Sequence, residues 1–298
     1  MLKRPDQGRP DREISVSFEL FPPKSEDQIP ALDAAVDRLT GVGPTYFSVT
    51  YGAGGSTQDR TRGVVERVAR RTGLPVAHHL TCVEAGREQI DTLARDLWQS
   101  GIRKIVALRG DPQGGQPYTP PADGYAYGAA LVDGLRRVAD FEIAVAAYPE
   151  THPQAESAES DLDNLKRKID AGATTAITQY VFDTDEILRF VDRARDAGID
   201  APIVPGIMPV SNLKGLMRFS EKCGATVPGW LVEMFDGLDE DPGTRAMVAA
   251  AVAREQCRRL AEAGLTDFHF YTLNRAEISV AVCRALGLSE TAAPRRAA

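Results

Sequence analysis

The chain of 298 residues carries 35 Lys and Arg against 42 Asp and Glu, and the resulting net charge of −7 argues against general affinity for a nucleic-acid backbone. Its hydrophobic content of 43% supplies a sizeable core, while the longest apolar runs fall short of the roughly 18 residues a membrane span requires. A cytoplasmic protein with a small-molecule partner is expected, with no nucleic acid and no membrane.

The first twelve residues are polar, lack the apolar stretch of a signal peptide and read as a flexible tail. Eight short runs rich in β-branched or apolar residues then follow: Ile14–Leu20, Tyr46–Tyr51, Pro75–Thr81, Lys104–Leu108, Glu142–Tyr148, Thr175–Tyr180, Pro202–Ile207 and Asp267–Leu273. Segments with helical spacing separate them, such as Leu32, Ala35, Val36 and Leu39, or Ile90, Leu93, Ala94 and Leu97. Strands alternating with amphipathic helices imply right-handed βαβ units and a parallel sheet. Eight such units predict a (β/α)8 TIM barrel over residues 13–290, one domain followed by a flexible tail at 291–298. The stretch Ser211–Gly264 is too long for one crossover and predicts extra helices before the eighth strand. A doubly wound sheet would place a glycine-rich phosphate cradle after its first strand, where this chain has Phe21-Pro22-Pro23-Lys24. The cysteines at 82, 223, 257 and 283 show no C-x-x-C pairing, so neither a zinc centre nor a disulfide framework is signalled, and reduced, mostly buried thiols are expected.

Active sites of such barrels collect at the C-terminal strand ends. Polar residues stand there repeatedly: Glu19, Thr50 and Tyr51, His79, Arg109-Gly110-Asp111, Tyr148, Gln179 and Tyr271. Glu19, between Phe18 and Leu20-Phe21, is either a desolvated general acid or half of a satisfied ion pair. Asp111 after Gly110 suits a cation stabiliser or an ordinary turn aspartate, and His79 a catalyst or, more commonly, a structural hydrogen-bonder. Asp161, Asn164, Arg167 and Lys168 fall on one polar helix face, which either grips ribose and diphosphate or is simply solvated.

Phe18-Glu19-Leu20-Phe21-Pro22-Pro23, Ser48-Val49-Thr50-Tyr51-Gly52 and His79-Leu80-Thr81-Cys82 resemble the opening signatures of methylenetetrahydrofolate reductases. Val106–Asp111, Ala147-Tyr148-Pro149-Glu150, Leu165–Lys168, Ile177-Thr178-Gln179, Pro209–Asn212 and Phe268–Arg275 resemble the family in the same order, over about residues 14–288. The resemblance implies a (β/α)8 barrel carrying FAD that takes hydride from NADH, with NADPH as an alternative donor, and passes it to 5,10-methylenetetrahydrofolate by ping-pong kinetics. It also implies the bacterial, catalytic-domain-only form, without the S-adenosylmethionine-binding regulatory domain of eukaryotic relatives, and a homo-oligomer.

Carried over by position, Glu19 matches the family's general acid, which protonates N10 of the folate, and Asp111 the aspartate that contacts the pterin and stabilises the cation formed. Gln179, Phe219 and Arg275 match folate contacts, Phe219 as a stacking ring, and Thr50 matches a nicotinamide contact. For FAD the matching positions are Tyr51, Ala53, His79, Arg109, Gly110, Asp111, Tyr127, Tyr148, His152, Ala155, Asp161, Asn164, Arg167 and Lys168. Gly215 departs from the family, which often has a glutamine there that touches folate or NADH; a weaker, water-met contact is expected at that edge. The rival functions are a flavin-free reductase passing hydride directly from NADH to folate and a non-catalytic folate- or flavin-binding protein.

Overall fold

The computed structural model describes residues 13–51, 58–112, 114 and 116–288. Both predicted tails and Ala53 lie outside the described residues.

Nine parallel strand segments form one sheet: β1 (Ser15–Leu20), β2 (Tyr46–Val49), β3 (Val76–Thr81), β4 (Lys104–Leu108), β5 (Glu142–Ala147), β6 (Thr175–Thr178), β7 (Ile203–Val204), β8 (Gly206–Ile207) and β9 (Asp267–Tyr271). Their order is β7-β6-β5-β4-β3-β2-β1-β9-β8. Segments β7 and β8 are consecutive in the chain and separated only by Pro205, so together they act as the seventh strand of an eight-strand barrel. The predicted run Pro202–Ile207 is thus one topological strand cut in two. Proline has no N–H to donate to a ladder. At the cut the Pro205 carbonyl accepts from His269 N–H at 3.0 Å, and the Gly206 amide turns to Thr178 Oγ1 at 2.9 Å. Segment β7 therefore closes onto β6 and β8 onto β9.

The second, fifth, sixth and eighth predicted strands run past the observed ends at Val49, Ala147, Thr178 and Tyr271. Tyr51, Tyr148, Gln179, Tyr180 and Leu273 instead begin the loops. All five line a pocket, and periodicity cannot distinguish the four apolar or aromatic ones among them from strand packing.

Helices α1 (Ile29–Thr40), α2 (Gln58–Thr72), α3 (Arg87–Gln99), α4 (Gly128–Val138), α5 (Ala158–Asp170) and α6 (Thr184–Asp196) fill the first six crossovers. Leu32, Ala35, Val36 and Leu39 form the buried stripe of α1, at the i, i+3, i+4, i+7 spacing that keeps one face on the sheet. The long segment before the last strand folds as α7 (Leu213–Cys223), α8 (Gly229–Phe235) and α9 (Pro242–Glu262), as its length predicted, and α10 (Glu277–Ala285) follows β9. Strand parity sorts the barrel. On β1, Val16, Phe18 and Leu20 are buried outward against the helices, whereas Ser15, Ser17 and Glu19 alternate with them toward the interior. A second cluster around Tyr180, Phe182, Met208, Leu216, Leu231 and Phe235 seats α7–α9 beside the barrel mouth. Cys82, Cys257 and Cys283 are buried and Cys223 is partly so. No helix among the described residues is long and apolar enough to cross a membrane.

Candidate active site

Glu19 is a buried acid at the C-terminal end of β1, on the barrel mouth. Its residue is 8% exposed, and desolvation pushes its pKa up to about 8. His79 Nε2 faces Glu19 Oε2 at 3.7 Å, beyond hydrogen-bond reach. The spacing alone would pass for an ion pair, but burial also drives His79 down to about 3. Desolvation therefore wins over attraction, and at neutral pH a protonated carboxylic acid faces an uncharged imidazole.

The turn after β9 holds Glu19 in place. Thr272 Oγ1 donates to the Glu19 carbonyl at 2.6 Å. Asn274 accepts from Phe21 N–H at 2.8 Å and donates to the Phe21 carbonyl at 2.9 Å, so its amide continues the β9–β1 ladder where the backbone has turned away. That turn requires left-handed backbone at Leu273 (φ 50°) and Asn274 (φ 58°), a conformation that Asn tolerates and Leu resists.

Glu19 opens into a pocket of about 270 Å³ that Thr50, Tyr51, His79, Gln179 and Phe219 also line. Val106, Leu108, Ile177 and Met208 form its apolar wall, which is what withholds solvent from the acid. Tyr271 donates its hydroxyl to the Thr178 carbonyl at 2.7 Å. It can lie there because Gly206 has no side chain: a Cβ would meet Thr178 O at 2.2 Å and Tyr271 Cε2 at 2.5 Å. On α7, Phe219 stacks over Tyr180 with centroids 6.1 Å apart and planes 18° from parallel, yet remains 43% exposed, leaving a ring face open to a ligand. Gly215, one turn earlier, receives the Asn212 cap at 2.8 Å and presents no side chain.

A longer cleft of about 740 Å³ shares Leu108, Ala146 and Tyr148 with this pocket. Arg109, Gly110, Asp111, Tyr127, Tyr148, His152, Ala155, Asp161, Asn164, Arg167 and Lys168 all line it. Lys168 is buried, donates to the Ala146 carbonyl at 2.6 Å and is held down to about 8 by desolvation. Helix α4 begins at Gly128 without a side-chain cap, and Gly128, Ala129 and Ala130 line the cleft, so free helix-start amides meet Arg167 and Lys168 there. Asp161 is fixed by the His152 amide at 2.8 Å. Gly110 (φ 80°) lets the strand-end backbone approach closely, since a Cβ would lie 2.6 Å from Val83 Cγ1. This donor set fits an elongated dinucleotide: amides and two cations for a diphosphate, a carboxylate and an amide for ribose hydroxyls, and a passage to Glu19 for a planar ring.

Among the described residues, the predicted ones thus line two connected spaces, except Arg275, while Asp111 lines the long cleft without reaching the acid. Asp111 sits on the rim of the long cleft with its side chain 83% exposed, paired to Arg109 at 2.8 Å and outside the Glu19 pocket. Arg275 is exposed in the turn after β9 and lines neither space. Tyr180, Met208, His269 and Leu273 line the pocket without having been singled out in the sequence. The period-two alternation of Asp267, His269 and Tyr271 was the available signal for His269.

Fold and site together define a (β/α)8 barrel enzyme with a solvent-excluded acid beside a dinucleotide-shaped cleft. A sequence model of the family described as methylenetetrahydrofolate reductase matches residues 5–287. The chain is 54% identical over 284 residues to 5,10-methylenetetrahydrofolate reductase of Pectobacterium carotovorum subsp. carotovorum, covering 95% of this chain and 92% of that one. It is 50% identical over 278 residues to the Escherichia coli (strain K12) protein of the same name, covering 93% and 92%. In fold it is similar to a Clostridium thermocellum protein that binds two copies of 5-methyl-5,6,7,8-tetrahydrofolic acid, with TM-score 0.63, 17% identity and coverage of 93% and 95%. The chain belongs to the methylenetetrahydrofolate reductase family.

Proposed function

We propose that this enzyme reduces 5,10-methylenetetrahydrofolate to 5-methyltetrahydrofolate, with NADH as donor, NADPH as an alternative one, and FAD carrying the reducing equivalents between them. The observation that carries the reading is a carboxylic acid kept protonated, with a pKa of about 8, inside an apolar pocket that joins a dinucleotide-shaped cleft. Family membership supplies the substrate: both bacterial relatives bear the reductase name.

When bound, the flavin supplies a face that accepts and returns hydride, so donor and folate use one pocket in turn. Arg167, Lys168 and the first amides of α4 hold its diphosphate, Asp161 and Asn164 its ribose, and Tyr148 stands where the cleft meets the pocket. Glu19 delivers its proton to N10 of the folate, opening the five-membered ring and leaving a cationic carbon to take hydride. Gln179 binds the pterin and the free face of Phe219 stacks on folate or nicotinamide. Asp111 approaches the substrate cation only by swinging from Arg109, which its exposed position permits. Arg275 reaches the outer end of the folate from the rim.

Glu19→Gln tests the assignment. Reduction of the bound flavin by NADH in stopped flow proceeds at the wild-type rate, while reoxidation by methylenetetrahydrofolate falls at least ~100-fold, the scale of general acid catalysis. Undiminished reoxidation would show that another group supplies the proton.

A further inference from the structure

Each turnover of the proposed reaction takes one proton from solvent, because hydride from NADH and the Glu19 proton both end on the folate. A flavin and a folate bound in the mouth pocket would cover the C-terminal route to Glu19. The barrel offers another. Its N-terminal end holds a second cavity of about 270 Å³, lined by Ser15, Tyr46, Lys104, Glu142 and Asp267, polar enough to hold several waters. Ser17 lines that lower cavity, whereas His269 lines the upper pocket with Glu19.

These two residues are register partners on β1 and β9, and Ser17 Oγ lies 2.7 Å from His269 Nδ1. On the other side of the ring, His269 Nε2 lies 3.3 Å from Ser48 Oγ. Ser48 is in turn the register partner of Glu19 on β2. All three are buried, and Tyr46 stacks on the imidazole at 5.9 Å, 18° from parallel, which fixes its plane. Barrel interiors are ordinarily filled by bulky aliphatic layers, so a serine–histidine–serine bridge between two cavities calls for a chemical reason.

We propose that Ser17, His269 and Ser48 form a proton inlet that recharges Glu19 from the N-terminal face of the barrel; the inference rests on the acid role given to Glu19 above. Ser17 passes its hydroxyl proton to Nδ1 and takes another from water in the lower cavity. His269 releases the proton on Nε2 to Ser48, and Ser48 gives its own to the Glu19 carboxylate, directly or through one water. One proton enters and one arrives, with no change of oxidation state; before the next cycle the hydroxyls rotate and the imidazole proton shifts from Nδ1 back to Nε2 through water of the upper pocket, which His269 lines. The three act through Glu19 and position its proton rather than touching the reacting atoms.

Proton uptake separates this inlet from a structural role. Prereduced holoenzyme is mixed with saturating methylenetetrahydrofolate in weak buffer containing an indicator dye, and flavin reoxidation and dye colour are followed together. In the wild type, uptake keeps pace with reoxidation. In Ser17→Ala and in Ser48→Ala, first-turnover reoxidation keeps its rate because Glu19 starts protonated, whereas uptake lags at least tenfold and steady-state turnover slows with it. Uptake that still keeps pace in both variants would place the route at the mouth and overturn the inlet. Reoxidation and uptake falling together would show that these side chains merely hold Glu19, which also overturns it. A wild type that folate does not reoxidise would sink the functional reading itself, an outcome distinct from the other two.

Discussion

Glu19→Gln keeps the side chain's shape and removes its ionisation, so it reads the cost of burying that acid. The native carboxyl titrates at about 8 against 4.5 for the exposed group. The sign follows from proton counts. Between those values the unfolded chain has lost the proton and the native one retains it, so stability falls by about 1.4 kcal/mol for each pH unit of increase. Below 4.5 both states are protonated and the contribution is fully present; above about 8 both are ionised and the loss is complete. At pH 7 the wild type therefore bears a cost of about 3 kcal/mol that the glutamine variant does not. For a barrel of this length that gain corresponds to roughly 5 °C in Tm. Thermal or urea unfolding of both proteins in the same ligand state, from pH 5 to pH 9, measures it. The variant should be only slightly more stable at pH 5, its advantage should widen steadily, and the difference should level off above pH 8. A difference that does not change with pH, or a variant less stable throughout, would refute the claim that desolvation holds Glu19 protonated. An inactive but more stable variant is the expected signature of a residue kept for chemistry at the fold's expense.

Lys168→Met preserves bulk while removing the buried cation that faces the start of α4; FAD affinity, measured by fluorescence titration, should fall by roughly 10- to 100-fold with little change in Tm, as loss of a charge-assisted phosphate contact requires. Gly206→Ala drives a methyl into Thr178 O and Tyr271, so it should lower stability by about 1–3 kcal/mol in urea unfolding and reduce folate reduction more than NADH oxidation.

Much of this protein could be read along the chain because strand and helix periodicities are local. The eight strand positions, the α1 and α3 stripes and the helices between Ser211 and Gly264 all follow from which neighbours are apolar. Phe18-Glu19-Leu20 likewise announced a buried acid, since a strand that hides both neighbours cannot bring the residue between them to the outer surface of the barrel. Tertiary structure alone decided the rest. Whether Glu19 is paired or simply desolvated depends on His79, 60 positions away, being buried beside it and hence uncharged. The split of the seventh strand at Pro205 depends on what its neighbours β6 and β9 offer in place of a missing amide. Asp111 and Arg275 show the same limit from the other side, because matching a motif does not say how far a side chain lies from the acid it would serve. Composition and spacing determine which residues are hidden; only the closure of the barrel, which sets Ser17, Ser48 and His269 side by side from three strands, determines what they are hidden with.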